Sequence, residues 1–208
     1  MPIQETLLSV AVIWTVAAIT PGPNFFITVQ TAMAKSRRTA LMVAFGITSG
    51  TVVWGIAGFM GVSALFVITP LVYTTLKLVG GAYLAYIGIR LFIGSLRSRT
   101  AISESSSSRG PGNWSAWRTG FFTILANPKT AAFVVSLFAA TLPMEPPAWM
   151  GAASVSVMAV VSITWYALAS VVFSTNRVSA AYRSCQHWIN RVAGGLFVAF
   201  GIRVATQP

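Results

Sequence analysis

The sequence predicts an all-α integral membrane protein: six transmembrane helices forming two inverted three-helix repeats, with helices one and four broken. Three observations carry that expectation. The chain of 208 residues is 55% hydrophobic and only 8% charged, whereas charged residues make up roughly a quarter of a soluble domain; its mean hydropathy is +0.74. Apolar runs long enough to cross the roughly 30 Å hydrocarbon core recur along it. Polar, proline-bearing interruptions, TPGPN at 20–24 and ANPKT at 126–130, fall at corresponding places in its two halves.

The spans read as 7–32, 40–67, 71–94, 119–142, 148–174 and 188–206, the last being the shortest. Basic residues orient them. Lys35, Arg37 and Arg38 lie between spans one and two; Arg90, Arg97, Arg99, Arg109 and Arg118 flank the connection between three and four; Arg177, Arg183 and Arg191 lie between five and six. The connections 67–71 and 142–148 carry no Lys or Arg, although Lys77 lies just inside span three. Basic residues concentrate in cytoplasmic loops, which puts those three loops inside and both termini outside; Arg203 on the tail runs against the trend. The net charge of +11 therefore records topology, with the lipid bilayer as partner and no nucleic acid. No Lys or Arg precedes Lys35, so the first span lacks the basic start of a signal peptide and is expected to be retained.

The single cysteine, Cys185, excludes an intramolecular disulfide. Cys185 and His187 without acidic neighbours are too few ligands for a metal, so neither metal nor cofactor is implied, and Cys185 reads as an inert thiol in a basic loop.

Residues 97–113, RSRTAISESSSSRGPGN, are rich in Ser and Gly and lack aromatics. Such composition makes a flexible linker, placed at 97–117 between a first repeat, 1–96, and a second, 118–208. The halves resemble each other: KLVGGAYLAYIGIR (77–90) aligns with RVAGGLFVAFGIR (191–203), apart from one extra residue, Ile87. With an odd number of spans per half, the second half enters the membrane in the opposite sense. Matched interruptions in inverted repeats point to a transporter site served by alternating access.

Each break restarts a helix. Thr20 is the expected N-cap with Pro21 at the first helical position, and Asn127 with Pro128. An open helix N-terminus presents free N–H groups and about half a positive charge, which suits a carboxylate. From Thr119 to Lys129 a helix rises about 15 Å, half the roughly 30 Å core. A lysine at that depth costs about 2.5–3.5 kcal/mol and is functional by default. The acids Glu5, Glu104 and Glu145 all lie outside the spans. Three partners for Lys129 stay open at this point: a substrate carboxylate, backbone carbonyls freed by the breaks, or a neutral amine with no ionic partner. The candidate substrate-binding residues are Thr20, Pro21, Gly22, Pro23, Asn24, Asn127, Pro128 and Lys129, with Thr48 and Thr51.

Asn24, Thr28 and Thr31 share one helix face, as do Thr123, Asn127 and Thr130; Thr48, Ser49 and Thr51 in span two, with Ser162 and Thr164 in span five, are expected to line the same cavity. Taken singly, Ser and Thr in membrane helices more often hold helices together. The seams Gly46-xxx-Gly50, Gly81-xxx-Ala85 and Gly195-xxx-Ala199 likewise read as packing, and are compatible with a homo-oligomer. Trp114, Trp117, Trp149 and Trp188 read as interfacial anchors.

TPGPN, the Gly46/Gly50 stretch, LKLVGGAYLAYIGIR and RTGFFTILANPKTAAF resemble, in order and spacing over nearly the whole chain, the LysE/RhtB amino-acid exporters. The resemblance implies a bacterial inner-membrane exporter of amino acids or related metabolites, driven by the proton gradient. It carries function to Pro21, Gly22, Pro23, Asn24, Asn127, Pro128 and Lys129. Two positions depart from the family pattern: many members have Asp where Asn24 stands, and some have His where Trp54 stands. Neither Asn nor Trp titrates, which leaves Lys129 or the substrate to carry a coupled proton.

A small neutral amino acid fits best, because no intramembrane acid answers a dibasic one. Its carboxylate would meet the half-helix N-termini and Lys129; its amino group would meet oxygens of Asn24 and Asn127. An exporter or channel for another small metabolite, or a non-transporting membrane protein, is the alternative. An enzyme needs acid, base or nucleophile groups near its substrate; the sole His187 is placed in a loop and the acids lie outside the spans, which argues against one.

Overall fold

The computed structural model describes residues 3–66, 70–97, 112–174 and 176–206. Every regular element among them is a helix: α1 (Ile3–Ile19), α2 (Pro23–Ala34), α3 (Arg37–Phe66), α4 (Pro70–Arg97), α5 (Asn113–Leu125), α6 (Pro128–Thr141), α7 (Ala148–Val172) and α8 (Asn176–Thr206). Proline sets several of the starts. It opens α2, α4 and α6 and stands immediately before α7, positions where its missing N–H costs no helical hydrogen bond.

Three helices, α3, α4 and α7, are long and apolar enough to cross a membrane; two bent pairs, α1–α2 at 53° and α5–α6 at 59°, bring the number to five. The two bends fall at TPGPN and ANPKT. The expected sixth span corresponds to α8, which is not among these five. Arg191 and Arg203 bracket its apolar stretch, so its hydrophobic length falls short of the others.

Residues 176–190 correct a second expectation. Arg177, Arg183, Cys185 and His187 do not lie in a loop but on the first turns of α8. No Gly or Pro occurs between Asn176 and Ala193, so nothing stops the helix from running on. His187 and Cys185 are exposed there, with the imidazole against Trp188 at 5.4 Å between ring centroids. Of the expected 97–117 linker, Arg97 ends α4, 98–111 lie outside the described residues, and Asn113–Trp117 open α5.

Apolar and polar residues are distributed as lipid requires. Large apolar side chains such as Leu8, Phe45, Met60, Phe92, Val160 and Leu168 face outward, whereas Thr6, Thr28, Thr51, Ser154, Ser162 and Ser170 are fully buried. With lipid as apolar as leucine, helices associate through close packing at small residues rather than by hiding apolar surface. Of the four tryptophans expected as anchors, Trp114, Trp149 and Trp188 are exposed, while Trp117 is half-buried and donates its indole N–H to Ser49 Oγ at 3.2 Å.

Close packing follows the glycines. Gly46 and Gly50 on α3 meet α5 so tightly that an added Cβ at Gly46 would strike the Trp117 carbonyl, and one at Gly120 the Val43 carbonyl. Gly88 and Gly194 bring α4 against α8 in the same way. Around α3, the helices α2, α5, α6 and α7 gather, which brings the two bends to its inner face.

A cavity between the two helix breaks

The first break forms differently from the sequence expectation. Thr20 does not cap α2. Its N–H and its hydroxyl both donate to the Val16 carbonyl, at 3.0 and 2.6 Å, so it closes α1. The cap of α2 is Gly22, in extended conformation, with Pro23 at the first helical position. Shifting the start to Pro23 makes Phe26 N→Gly22 O, at 2.9 Å, the first helical bond and leaves Pro23 where no donor is missed. Gly22 has no side chain to satisfy the first turn, so the amides of Gly22 and Asn24 have no acceptor within the helix.

The second break matches the expectation and shows an unexpected asymmetry. Asn127 caps α6, with Oδ1 accepting from Lys129 N at 3.0 Å and Pro128 next in line. Asn127 N donates to Ile124 O at 3.2 Å and Thr130 N to Asn127 O at 3.0 Å. The α6 terminus is therefore satisfied from within, and the expected pair of open N-termini reduces to one, that of α2. Asn127 Oδ1, expected to meet an amino group, is occupied as a cap. Trp54 supports this break from α3: its indole N–H donates to Ile124 O at 3.2 Å.

The two breaks share one cavity of about 50 Å³, lined by Thr20, Gly22, Pro23 and Asn24 from one side and Asn127, Lys129 and Thr130 from the other. On the scale of roughly 10–15 Å³ per water, it holds a few waters or the polar head of a small zwitterion. Lys129 Nζ reaches across to the first break, 3.9 Å from where a Cβ on Gly22 would stand. No acidic side chain is found among the described residues lining the cavity. The electrostatics are thus one-sided: a primary amine and the positive end of α2 converge where no carboxylate answers them.

Thr51 also lines the cavity. Thr48 does not: it is buried one turn away, with its hydroxyl donated to Ala44 O at 2.9 Å. Thr28, Thr31 and Thr123 likewise donate to carbonyls of their own helices, the ordinary way a hydroxyl is satisfied in lipid. Ser162 sits behind the lining, accepting from Trp14 Nε1 at 2.9 Å and lying 3.3 Å from Thr51 Oγ1; it ties α1, α3 and α7 together.

Sequence reasoning missed the aromatic wall. Trp14, Phe133, Tyr166 and Phe197 complete the cavity. Tyr166 could have been found, since it follows Ser162 by one helical turn and so shares its face.

A helical protein with an apolar outer surface and two broken helices that meet at one cavity is, by class, a membrane protein. The chain belongs to the LysE type translocator family, which it matches over residues 15–208. It is 28% identical over 196 residues to a threonine efflux protein of Salmonella typhimurium, covering 94% of this chain and 95% of the relative. The threonine efflux protein of Escherichia coli K12 is 27% identical over 197 residues, covering 95% and 96%. A leucine efflux protein of Klebsiella pneumoniae is 24% identical over 191 residues, covering 90% and 89%. No solved structure matches the chain significantly.

Proposed function

We propose that this protein is a secondary transporter, not an enzyme, that exports a small neutral amino acid from the bacterial cytoplasm across the inner membrane by alternating access. The observation that carries this reading is the convergence of both helix breaks on one cavity that Lys129 enters. A carboxylate held there takes hydrogen bonds from the α2 amides of Gly22 and Asn24 and charge from Lys129. Neutral cargo is favoured because the cavity lining offers a cation and, among the described residues, no acid. The relatives named for efflux of threonine and leucine point the same way.

Six spans in two inverted repeats, with both termini outside, are part of the proposal, α8 serving as the sixth span. Several helix contacts support the symmetry. Exchanging the halves turns the α3–α5 contact into α7–α1 and the α3–α6 contact into α7–α2, while α3–α7 and α4–α8 map onto themselves; all six are packed pairs. Proton drive is proposed from the family likeness, with Lys129 as the cavity's one ionisable amine among the described residues.

The test is an export assay over a metabolite panel, comparing cells with and without the protein. Efflux of one or a few neutral amino acids against their gradient, abolished by a protonophore, is expected. Preferred export of lysine or arginine, or of a metabolite without a carboxylate, overturns the reading. Downhill flux indifferent to the protonophore identifies a channel instead.

A further inference from the structure

Each break deprives one carbonyl of its helical donor. In a helix a carbonyl is paired by the N–H four residues on. At the breaks that residue is a proline: Pro23 for Ile19, Pro128 for Ile124. Lipid supplies no water to make up the loss. At the second break α3 makes it up, because the indole N–H of Trp54 donates to Ile124 O at 3.2 Å.

The first break has a matching donor, and that donor is unpaired. Thr51-Val-Val-Trp54 on α3 corresponds to Ser162-Ile-Thr-Trp165 on α7. The correspondence is also spatial. Thr51 Oγ1 and Ser162 Oγ meet at 3.3 Å, as residues on an axis exchanging the halves must. Counted in the same steps, Gly58 and Val134 become Ala169 and Val29. A Cβ on Gly58 would strike Val134, and Ala169 and Val29 share one buried cluster. The exchange therefore carries Trp54 onto Trp165 and Ile124 onto Ile19. Trp165 stands beside the first break, its ring stacked on Phe25 in the first turn of α2 at 6.3 Å between centroids. Its Nε1 is nevertheless buried with no partner, a state that a native structure rarely leaves without a use.

We propose that Trp54 and Trp165 are alternating positioning residues of the transport cycle. Trp54 holds the second break in the state described; in the opposite-facing state Trp165 donates to Ile19 O while Trp54 lets go of Ile124 O. This rests on the alternating-access reading above and deepens it, since inverted repeats that rock against each other trade conformations between the two facings. Release is not costly at the second break. Ile124 O also accepts from Asn127 N at 3.2 Å, so it keeps a donor when the indole leaves. Each facing thus has one indole bonded and one free, and the cavity between the breaks is held from one half at a time.

The experiment reads the balance between facings in the full chain. The single cysteine, exposed Cys185, is replaced by Ser, and Ala17 on the cavity wall by Cys. Labelling rates with the impermeant anion 2-sulfonatoethyl methanethiosulfonate are compared between right-side-out and inverted vesicles. Trp54→Phe weakens the present facing and Trp165→Phe the opposite one. The two variants are expected to move the ratio of rates about fivefold in opposite directions, the worth of one neutral hydrogen bond, and the double variant to return it to the wild-type value. Both single variants slow export. In detergent Trp54→Phe melts lower than wild type, whereas Trp165→Phe, which removes only an unpaired donor, does not.

Shifts in the same direction, or no shift in either variant, overturn the proposal while export stands. So does a Trp165→Phe variant that melts lower with an unchanged labelling ratio, for its indole then only packs. If Ala17→Cys escapes the reagent from both sides, export by Trp165→Phe decides: slowed export at an undiminished melting temperature supports the proposal, and a wild-type rate overturns it. A wild-type chain that exports nothing on the metabolite panel overturns both readings.

Discussion

Lys129 Nζ, carried on α6, lies 3.9 Å from where a Cβ would stand on Gly22, in the break between α1 and α2. Residues more than a hundred positions apart thus form one wall. A methyl at Gly22 would sit in ordinary van der Waals contact with the amine and with the Thr20 carbonyl at 4.0 Å; a longer side chain has to displace the amine. Export is therefore expected to fall in the order Gly22, Ala, Leu. Gly22→Leu loses roughly tenfold or more, since small displacements of a positioned group cost rate steeply. Initial export rates normalised to membrane-inserted protein check the order, and a Gly22→Leu variant as active as Gly22→Ala would remove Lys129 from the site.

Lys129 itself separates stability from function. A charged lysine near the bilayer centre, the depth expected of Lys129 from the sequence, costs about 2.5–3.5 kcal/mol of insertion free energy, and no acid lining the cavity among the described residues returns it. Lys129→Met keeps the aliphatic length and drops the charge. The variant is expected to insert normally, melt higher than wild type in detergent, and lose transport. A lower melting temperature with lost transport would mean that the lysine holds the fold rather than the cargo.

Asn127 reaches the cavity through its neighbour. Its Oδ1 caps α6 by accepting from Lys129 N at 3.0 Å, so its loss frees the backbone that carries the amine. Asn127→Ala is expected to cost about 1 kcal/mol, the usual worth of an N-cap, and to cut export strongly. Asn127→Ser, still a capping residue, restores most of both. Thermal unfolding and export measured on the same preparations check whether activity follows the cap.

The breaks were legible in the sequence because proline and glycine leave few choices in an apolar run, and Lys129 was conspicuous for its depth. The course of α8 and the true start of α2 were not. Arg191 and His187 look like loop residues in one dimension, while a stretch free of Gly and Pro simply continues as helix. At TPGPN two prolines compete for the first helical position, and only the folded chain shows that Thr20 bonds back to Val16 O. Tyr166 was legible only through its spacing: it follows Ser162 by one helical turn, and an aromatic in an apolar span otherwise reads as packing until the structure brings it to the cavity wall.

The contact between α3 and α5 depends on glycines whose loss the structure makes calculable in sign. A Cβ on Gly46 would strike the Trp117 carbonyl and lie 2.8 Å from Phe121 N; a Cβ on Gly120 would strike the Val43 carbonyl and lie 3.0 Å from Ile47 N. Backbone cannot swing aside as a side chain can, so either alanine forces the helices apart, at about 1–3 kcal/mol for such overpacking. Gly195 on α8 is the control, for nothing stands within 4 Å of its Cβ position. Gly46→Ala and Gly120→Ala are each expected to lower the melting temperature in detergent, while Gly195→Ala leaves it unchanged or slightly raised, as replacing glycine in a helix does. Because α5 leads directly into the break that Asn127 caps, export should fall with the same two substitutions. The double variant should cost less than the two singles together, since helices already separated by one methyl have room for the other. Additive losses would show that the two glycines serve independent contacts.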